Sequence, residues 1–250
     1  MIGQAQYLLF DHCPMQIEHS EFQDQLVRGL AHRMNNILTL FNGYLGLLLD
    51  NKKLDRETRE GLAKIKDGAR AASDLMDRTH SLVRPSTVVW REINLHDFIY
   101  MLRPTFDVLC GPKTKLTIDC PDHLPAIWAD GTRVRSAIFE VVRNAIEATF
   151  QGGHVHLAIS VASKPPGTPA RQAIQWISIS VSDDGPGIPE EIRDRIYQPF
   201  FSTKKKQSAT GLGLTVAAGF VQQMGGVLRF ESEPGKTTFQ MLLPSRSEDG

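Results

Sequence analysis

Residues 181–214 constrain the fold of this chain more than any other segment. Glycine-rich turns at 183–187 and 211–214 enclose a loop that carries Phe200, Phe201 and lysines at 204–206. An acid opens the first turn, and a helix is predicted to begin at the second. Glycine permits close backbone approach, and a helix start offers free N–H groups. This layout predicts a cradle for a purine nucleotide, with a mobile cover between the two turns.

The first turn begins with Asp183, and Gly185 and Gly187 follow at alternate positions. A carboxylate can accept a hydrogen bond from an amino group such as that of adenine, and the glycines leave room for the ring. Turns of this kind are also common without any ligand. Taken alone, the turn therefore leaves open both a base-binding site and an ordinary change of chain direction.

The second turn contains Gly211 and Gly213, with Lys204 just upstream. N–H groups and the positive end of the helix dipole favour phosphate oxygens at such a helix start. A lysine at 204 can reach the same anion. The alternatives are a helix start that needs tight packing and a solvated run of lysines.

A third polar group lies on the helix predicted over 130–150. Glu140 and Asn144 are four residues apart and share one helix face, with Arg143 beside them. A carboxylate and an amide on one face can supply oxygen ligands to Mg²⁺. A polar pair on an ordinary surface helix is the alternative.

The first third of the chain has helical periodicity over 21–50 and again over 56–83. Two long amphipathic helices joined by a short turn predict an antiparallel hairpin. In a heptad abcdefg that starts with Val27 at position a, His32 falls at position f, on the outward polar face. Alone, the hairpin would leave a wide apolar stripe exposed. A second copy would bury it in a four-helix bundle, which predicts a homodimer. With position a at Val27, positions b, c and f form the polar outer face, and positions e and g widen the apolar face. The apolar residues at a and d are Val27, Leu30, Met34, Ile37, Phe41, Tyr44 and Leu48, and those at e and g are Ala31, Leu38, Leu40, Leu45 and Leu47.

The rest of the chain alternates helices and strands, which predicts an α+β chain with helices beside a mixed sheet. Helices are expected over 94–108, with Asn94 as the N-cap, and over 130–150, 189–197 and 212–224. Strands are expected over 115–119, 126–129, 154–162, 174–182, 227–232 and 237–243. The predicted organisation is an arm over 1–19, the hairpin over 20–84, a linker over 85–92, a second domain over 93–245 and a frayed tail over 246–250.

The order and spacing of these motifs resemble the ATP-binding domain shared by sensor histidine kinases and the gyrase, Hsp90 and MutL ATPases. Residues 140–145 resemble its N box, 183–187 and 210–214 its glycine boxes, 198–204 its F box, and 225–244 the ending typical of the kinases. The resemblance implies an α/β sandwich domain with ATP and Mg²⁺ as cofactors and Glu140 and Asn144 at the metal. The cofactor-binding residues it implies are Arg143, Asn144, Asp183, Gly185, Gly187, Lys204, Gly211, Gly213 and Thr237.

Residues 30–36, LAHRMNN, resemble the H box of sensor histidine kinases in the form seen in the nitrogen-regulation group. This resemblance implies that His32 accepts phosphate from ATP and passes it to an aspartate of a partner response regulator. It also implies that Asn36, one turn later, orients water for removing phosphate from that regulator. The expected protein is a dimeric two-component kinase core. Phosphatase activity toward the regulator is left open as a second function.

The chain departs from the family at two positions. Arg33 stands where an acid usually follows the histidine, and a cation there disfavours a positive imidazolium. Glu140 stands where kinases usually have asparagine, and in the Hsp90, gyrase and MutL relatives a glutamate at that place activates water. Two alternatives therefore stay open: a regulator phosphatase or scaffold with weak kinase activity, and an ATPase that uses Glu140 as its base.

Composition narrows the setting in which this chemistry is expected. Lys+Arg and Asp+Glu each number 28, so no net basic charge predicts nucleic-acid binding. No apolar run is long enough for a membrane span, and no signal peptide is recognisable. Cys13, Cys110 and Cys120 are scattered without metal-ligand spacing. The sequence therefore predicts a cytoplasmic protein with plain thiols.

Overall fold

The computed structural model describes residues 21–83, 88–149, 152–165, 175–204 and 210–245, with the backbone alone at 21–32, 74 and 77–83. Within these ranges, 88–197 and 213–245 form one compact unit, and 21–83 and 198–212 form the other. The segments outside the described residues include the predicted arm, the start of the linker, part of the connection between the strands predicted over 154–162 and 174–182, Lys205, Lys206 and the tail.

Helix α1 (Glu21–Leu49) and helix α2 (Arg56–Val83) form the predicted hairpin. Asp55 caps α2, because its carboxylate accepts hydrogen bonds from the Thr58 amide at 2.8 Å and the Thr58 hydroxyl at 2.6 Å. Arg59 donates to the main-chain oxygens of Leu49 at 2.8 Å and Asn51 at 3.0 Å. A cation at the carboxyl end of α1 is favourable for its dipole, so the turn is held from both helices.

The seam between α1 and α2 lies at one edge of the broad apolar face predicted at a, d, e and g. Leu38 and Leu45, at position e, are buried, and the side-chain oxygens of Asn35 and Asn42, at position b, are buried as well. The outward direction predicted for the b positions is wrong for Asn35 and Asn42, because α2 packs along the b and e side. Large apolar side chains on the a, d and g side remain exposed in the single chain: Ile37, Leu40, Phe41, Tyr44, Leu47 and Leu48.

The other unit contains two sheets and three α-helices. Its strands are β1 (Arg91–Ile93), β2 (Lys115–Asp119), β3 (Ile127–Ala129), β4 (His154–Ala162), β5 (Trp176–Asp183), β6 (Val227–Glu233) and β7 (Lys236–Pro244). Its helices are α3 (Leu95–Cys110), α4 (Gly131–Ala148) and α5 (Gly213–Gln223), with a 3₁₀ helix at Glu190–Arg195. Asn94 caps α3 as predicted, since its side chain accepts from the Asp97 amide at 3.3 Å.

The large sheet has the strand order β2-β4-β5-β7-β6, with β2 and β4 parallel and the other pairs antiparallel. Strands β1 and β3 form a separate antiparallel pair. The central strands β5 and β7 are largely buried, as at Ile179 and Met241, and so are the apolar residues of α4 and α5. This arrangement confirms the predicted α+β fold with helices beside a mixed sheet.

Two local predictions differ from the structure. Strand β1 lies partly in the segment predicted as linker, because three residues are too few to show a period. The helix predicted over 189–197 is the 3₁₀ helix, in which the Ile192 amide donates to the Pro189 oxygen at 3.2 Å. Among the described residues, no helix combines the length and the apolar composition that crossing a membrane requires.

Helix α4 begins at a buried acid that also holds the chain before β1. Asp130 accepts from the Thr132 amide at 2.9 Å and the Arg133 amide at 3.3 Å through Oδ1. Its Oδ2 accepts from the Val89 amide at 3.1 Å. One carboxylate therefore caps α4 and fixes the main chain that enters this unit.

Candidate active site

Helix α4 presents its polar residues opposite the face that it buries. Val134, Ile138 and Val141 are buried on the core side. Because residues three and four apart share a helix face, Glu140, Arg143, Asn144 and Glu147 project together on the other side.

Glu140, which was predicted to share a helix face with Asn144, also forms an ion pair that the sequence did not indicate. The Arg143 guanidinium binds the Glu140 carboxylate through Nη2, and its Nε lies 3.8 Å from Oε1 of Glu147. The Glu140 side chain is only 13% exposed, against 44% for Glu147. The charge at Glu140 is therefore held in a more enclosed place than the charge at Glu147.

The start of α5 lies against this ion pair. A methyl group added to Gly213 would stand 2.6 Å from Oε2 of Glu140 and 3.2 Å from Nη2 of Arg143. Thr215, two residues into α5, donates from its hydroxyl to the Tyr197 main-chain oxygen at 2.9 Å. The helix start, the carboxylate and the guanidinium therefore share one location within this unit.

The two adjacent acids of the first glycine turn point to different partners. Asp183, which is 4% exposed, accepts from the Gly185 amide at 3.0 Å. Asp184 is exposed and accepts from the His154 amide at 2.8 Å. Gly185 is crowded by Asp183 and by Ala148, whose oxygen a methyl group would approach to 3.0 Å. Asp183 is therefore the inward acid, fixed in direction by its own turn.

The other side of this turn is fastened to the β6–β7 hairpin. Gly187 has a positive φ of 86°, and a methyl group there would lie 2.6 Å from the Glu233 oxygen. The Ile188 amide donates to the Ser232 hydroxyl at 2.7 Å, and that hydroxyl lies 2.9 Å from the hydroxyl of Thr237. Thr237 is buried and pairs with Asp183 in the β5–β7 register.

Arg193 completes this connection. Its Nε donates to the Ile188 oxygen at 3.2 Å, and its Nη2 donates to the Ser232 oxygen at 2.7 Å. Neither Arg193 nor Ser232 was predicted to matter. An arginine in a short helix has no distinctive sequence pattern, and the two residues meet only through the sheet.

In the unit that contains the hairpin, residues 198–212 bring their two ends together. Gly211 and Phe200 both have a positive φ of 65°, and a methyl group on Gly211 would overlap the Phe200 backbone. Phe200 is exposed, and the Lys204 amide donates to the Ser202 hydroxyl at 3.1 Å. The close approach explains why glycine is needed at 211 independently of any ligand.

The predicted phosphoacceptor and its neighbours lie on α1. His32 is within the helical backbone, one turn before Asn36. Arg33 and Asn36 are both exposed. His32, Asn36, Lys204 and Gly211 thus belong to one unit, and the other predicted site residues belong to the other.

The unit that contains the two sheets has polar groups with the chemistry to hold a nucleotide and its metal. The buried Asp183 carboxylate can accept a hydrogen bond from the amino group of a base, and the N–H groups at the start of α5 can donate to phosphate oxygens. For Mg²⁺, Glu140 and Asn144 provide two oxygen donors. The described residues include no cluster of three or more His, Cys, Asp or Glu side chains that could hold a metal, so phosphate oxygens and water would supply the remaining ligands.

Comparison with known proteins agrees with this arrangement. Residues 129–247 match the family described as histidine kinase-, DNA gyrase B- and HSP90-like ATPases. The sensory histidine kinase/phosphatase NtrB of Klebsiella oxytoca is 30% identical over 255 residues, covering 96% of this chain and 70% of that protein. The sensor kinase CckA of Brucella abortus (strain 2308) is 30% identical over 236 residues, covering 90% of this chain but only 24% of its own length.

Solved structures share the fold. The chain superposes on full-length ShkA, crystallised in complex with AMPPNP, with a TM-score of 0.67 at 23% identity, covering 91% of this chain and 47% of that one. It superposes on the Acinetobacter baumannii histidine kinase AdeS with a TM-score of 0.60 at 19% identity, covering 86% and 98%. With NtrB matched over more than two thirds of its length, the chain belongs to the sensor histidine kinases of two-component signalling.

Proposed function

We propose that this chain is a kinase core that moves the γ-phosphate of Mg-ATP to His32 and then to an aspartate of a response regulator. The observation that carries the proposal is the buried Asp183, held by its glycine turn opposite Thr237. This acid is poised for the amino edge of a purine in a unit that matches an ATPase family. The same chain supplies a helical hairpin with a histidine on α1.

The reaction follows from nucleophilic attack by an imidazole nitrogen. That nitrogen of His32 forms a bond to the γ-phosphorus as the bond to the ADP oxygen breaks, and a ring proton is released. The first N–H groups of α5, together with Lys204, offset negative charge on the phosphates. Bound Mg²⁺ would supply further charge neutralisation, with Glu140 and Asn144 as its protein ligands. The phosphoramidate is then attacked by the regulator's aspartate, which regenerates His32.

Radiolabel from γ-labelled ATP tests this function. We expect acid-labile label in the wild type and none in His32→Ala, with mass spectrometry placing the phosphate on His32. Asp183→Asn should lose ATP affinity by about 100-fold, because a buried carboxylate that accepts from an amino group is replaced by an amide. A wild-type chain that binds ATP but never acquires label would contradict the proposal.

Regulator dephosphorylation is a second candidate activity. It is favoured by the exposed cation Arg33 directly after His32 and by the exposed amide Asn36 one turn later. The NtrB relatives are named as kinase/phosphatases. We expect Arg33→Glu to raise label at His32, and Asn36→Ala to abolish loss of phosphate from the regulator without weakening regulator binding. Unchanged dephosphorylation in Asn36→Ala would exclude this role for the amide.

A hydrolysing ATPase with Glu140 as base receives less support. The Glu140 carboxylate is bound to Arg143 through Oε2, so that oxygen is already engaged and would have to be released to act on water. Steady phosphate release without any phosphoprotein, lost in Glu140→Ala, would favour the ATPase instead.

The exposed side of α1 supports a homodimer. Leu40 is 62% and Leu47 is 71% exposed in the single chain, and they lie seven residues apart on the same side of the helix. We expect a dimer by light scattering and a monomer for the double variant Leu40→Asp and Leu47→Asp. Thr39→Asp, which alters a polar exposed position on α1, is the matched control and should stay dimeric.

A further inference from the structure

The Glu140 carboxylate lies at the amino-terminal end of α5. Its Oε2 is within 2.6 Å of the position that a side-chain carbon on Gly213 would take. Nη2 of Arg143 binds the same oxygen and lies 3.2 Å from that side-chain carbon position on Gly213. The chain therefore places one of its own anions at the helix end where the proposed function puts nucleotide phosphates.

Arg143 is shared between Glu140 and Glu147, so one guanidinium faces two carboxylates. Glu140 is largely enclosed, and charges in such places interact more strongly than charges in water. A phosphate arriving at α5 would meet the Glu140 carboxylate as a like charge, while Arg143 would offer it a cation.

We propose that Glu140 is a built-in competitor of the nucleotide phosphates, so that ATP without a divalent ion is disfavoured at this site. Arg143 exchanges Glu140 for phosphate as the nucleotide enters. Mg²⁺ converts the repulsion into attraction, because a divalent cation between two anions is bound by both. This inference rests on the proposed function for the location of the phosphates.

Binding of ATP measured by calorimetry, once with MgCl₂ and once with EDTA, tests the competitor role without relying on activity. Glu140→Gln keeps the shape of the side chain and removes its charge. We expect metal-free ATP to bind about tenfold more tightly to this variant than to the wild type. A glutamate that acted only as a metal ligand would weaken Mg-ATP binding when removed but leave metal-free binding unchanged, and that outcome would overturn the proposal.

Glu147→Gln is the matched control, because it removes a carboxylate from the same guanidinium at a more exposed position. We expect its metal-free affinity to stay within twofold of the wild type. An equal gain in both variants would overturn the proposal in favour of a general charge effect.

Glu140→Ala provides a second variant in case the amide disturbs the pairing with Arg143. It should also gain metal-free affinity, with its fold checked by circular dichroism. Failure of the wild type to bind Mg-ATP at all would instead remove the proposed function, and this inference with it.

Discussion

Arg193 donates through Nη2 to the main-chain oxygen of Ser232 at 2.7 Å. The same guanidinium donates to Ile188 at 3.2 Å, so it joins the chain after the first glycine turn to the β6–β7 hairpin. Because both acceptors are main-chain oxygens, the connection depends on the forked shape of the guanidinium and not on a partner charge. Arg193 is therefore a positioning residue for the turn that begins at Asp183.

Arg193→Ala should weaken ATP and ADP binding by about tenfold, because the turn loses one of its attachments to the hairpin. Binding of inorganic triphosphate, which has no base, should change less than twofold. Arg193→Lys can reach one of the two oxygens and should recover part of the loss. Equal losses for ATP and triphosphate would point to general destabilisation and not to positioning of the turn.

Gly187→Ala should destabilise the ATP-binding unit by about 2 kcal/mol or more, because the positive φ of 86° and the nearby Glu233 oxygen leave no space for a methyl group. All three tryptophans, at 90, 128 and 176, lie in this part of the sequence, so urea unfolding followed by tryptophan fluorescence reports on it.

The matched control for this change is Gly61→Ala in α2, where no atom of the described residues outside the local helix backbone and the adjoining residues lies within 4 Å of the added methyl group. There the substitution should stabilise the hairpin by about 0.5–1 kcal/mol, seen by circular dichroism, and leave the tryptophan transition in place. A similar response to both substitutions would contradict the assignment of strain to Gly187.

Tyr197→Phe should stabilise the protein by about 1 kcal/mol. Among the residues that the structure describes, the buried Tyr197 hydroxyl has no hydrogen-bond partner, and burial raises the pKa of this phenol well above its ordinary range. Removing an unsatisfied buried hydroxyl relieves its desolvation cost. Tyr100→Phe, at an exposed tyrosine, should change the free energy of unfolding by less than about 0.5 kcal/mol. A clear loss of stability in Tyr197→Phe would mean that the hydroxyl has a partner.

Hairpin stability should fall in acid through Asp55. The hydrogen bonds from the Thr58 hydroxyl and amide lower the pKa of Asp55 below its ordinary value of 3.8. A carboxyl whose folded pKa is depressed stabilises the fold above its unfolded pKa, and this contribution is lost as pH falls through the folded pKa. The loss is therefore expected below about pH 4.

Asp55→Asn isolates this titration, because asparagine caps a helix about as well but does not ionise in this range. Helical content followed by circular dichroism from about pH 5 downward should fall less steeply in the variant than in the wild type. Parallel curves would show that Asp55 does not contribute to the acid response.

Long periodic elements were predictable from the sequence, and encounters between distant residues were not. Helix α2 and strand β4 have the predicted limits because their apolar periods continue over many residues. Local chemistry also identified Asn94 as a cap and the segment 183–187 as a turn. The burial of the Asn35 and Asn42 oxygens was not predicted, because α1 has apolar residues on more than one side and a period cannot tell which side meets α2.

In the candidate active site, too, local features were predictable from the sequence and contacts between distant residues were not. The glycines at 187 and 211 indicate a backbone conformation that other residues rarely adopt, and both have a positive φ in the structure. The sequence also placed Glu140 and Asn144 on one helix face. It did not reveal that Arg143 would bind Glu140 or that Gly213 would lie against both, because α4 and α5 are separated by more than 60 residues.

Asp130 caps α4 and also accepts from the Val89 amide, and these two contacts determine where a fragment of this chain can begin. The amide of Val89 and all of strand β1 are bound within the ATP-binding unit, through Asp130 and β3 respectively. A fragment starting at residue 93 would lose most of β1 and leave Oδ2 of a buried aspartate without its amide donor. An excised ATP-binding fragment should therefore begin upstream of Val89 to keep the start of α4, and the active-site residues that α4 carries, as they are in the intact chain.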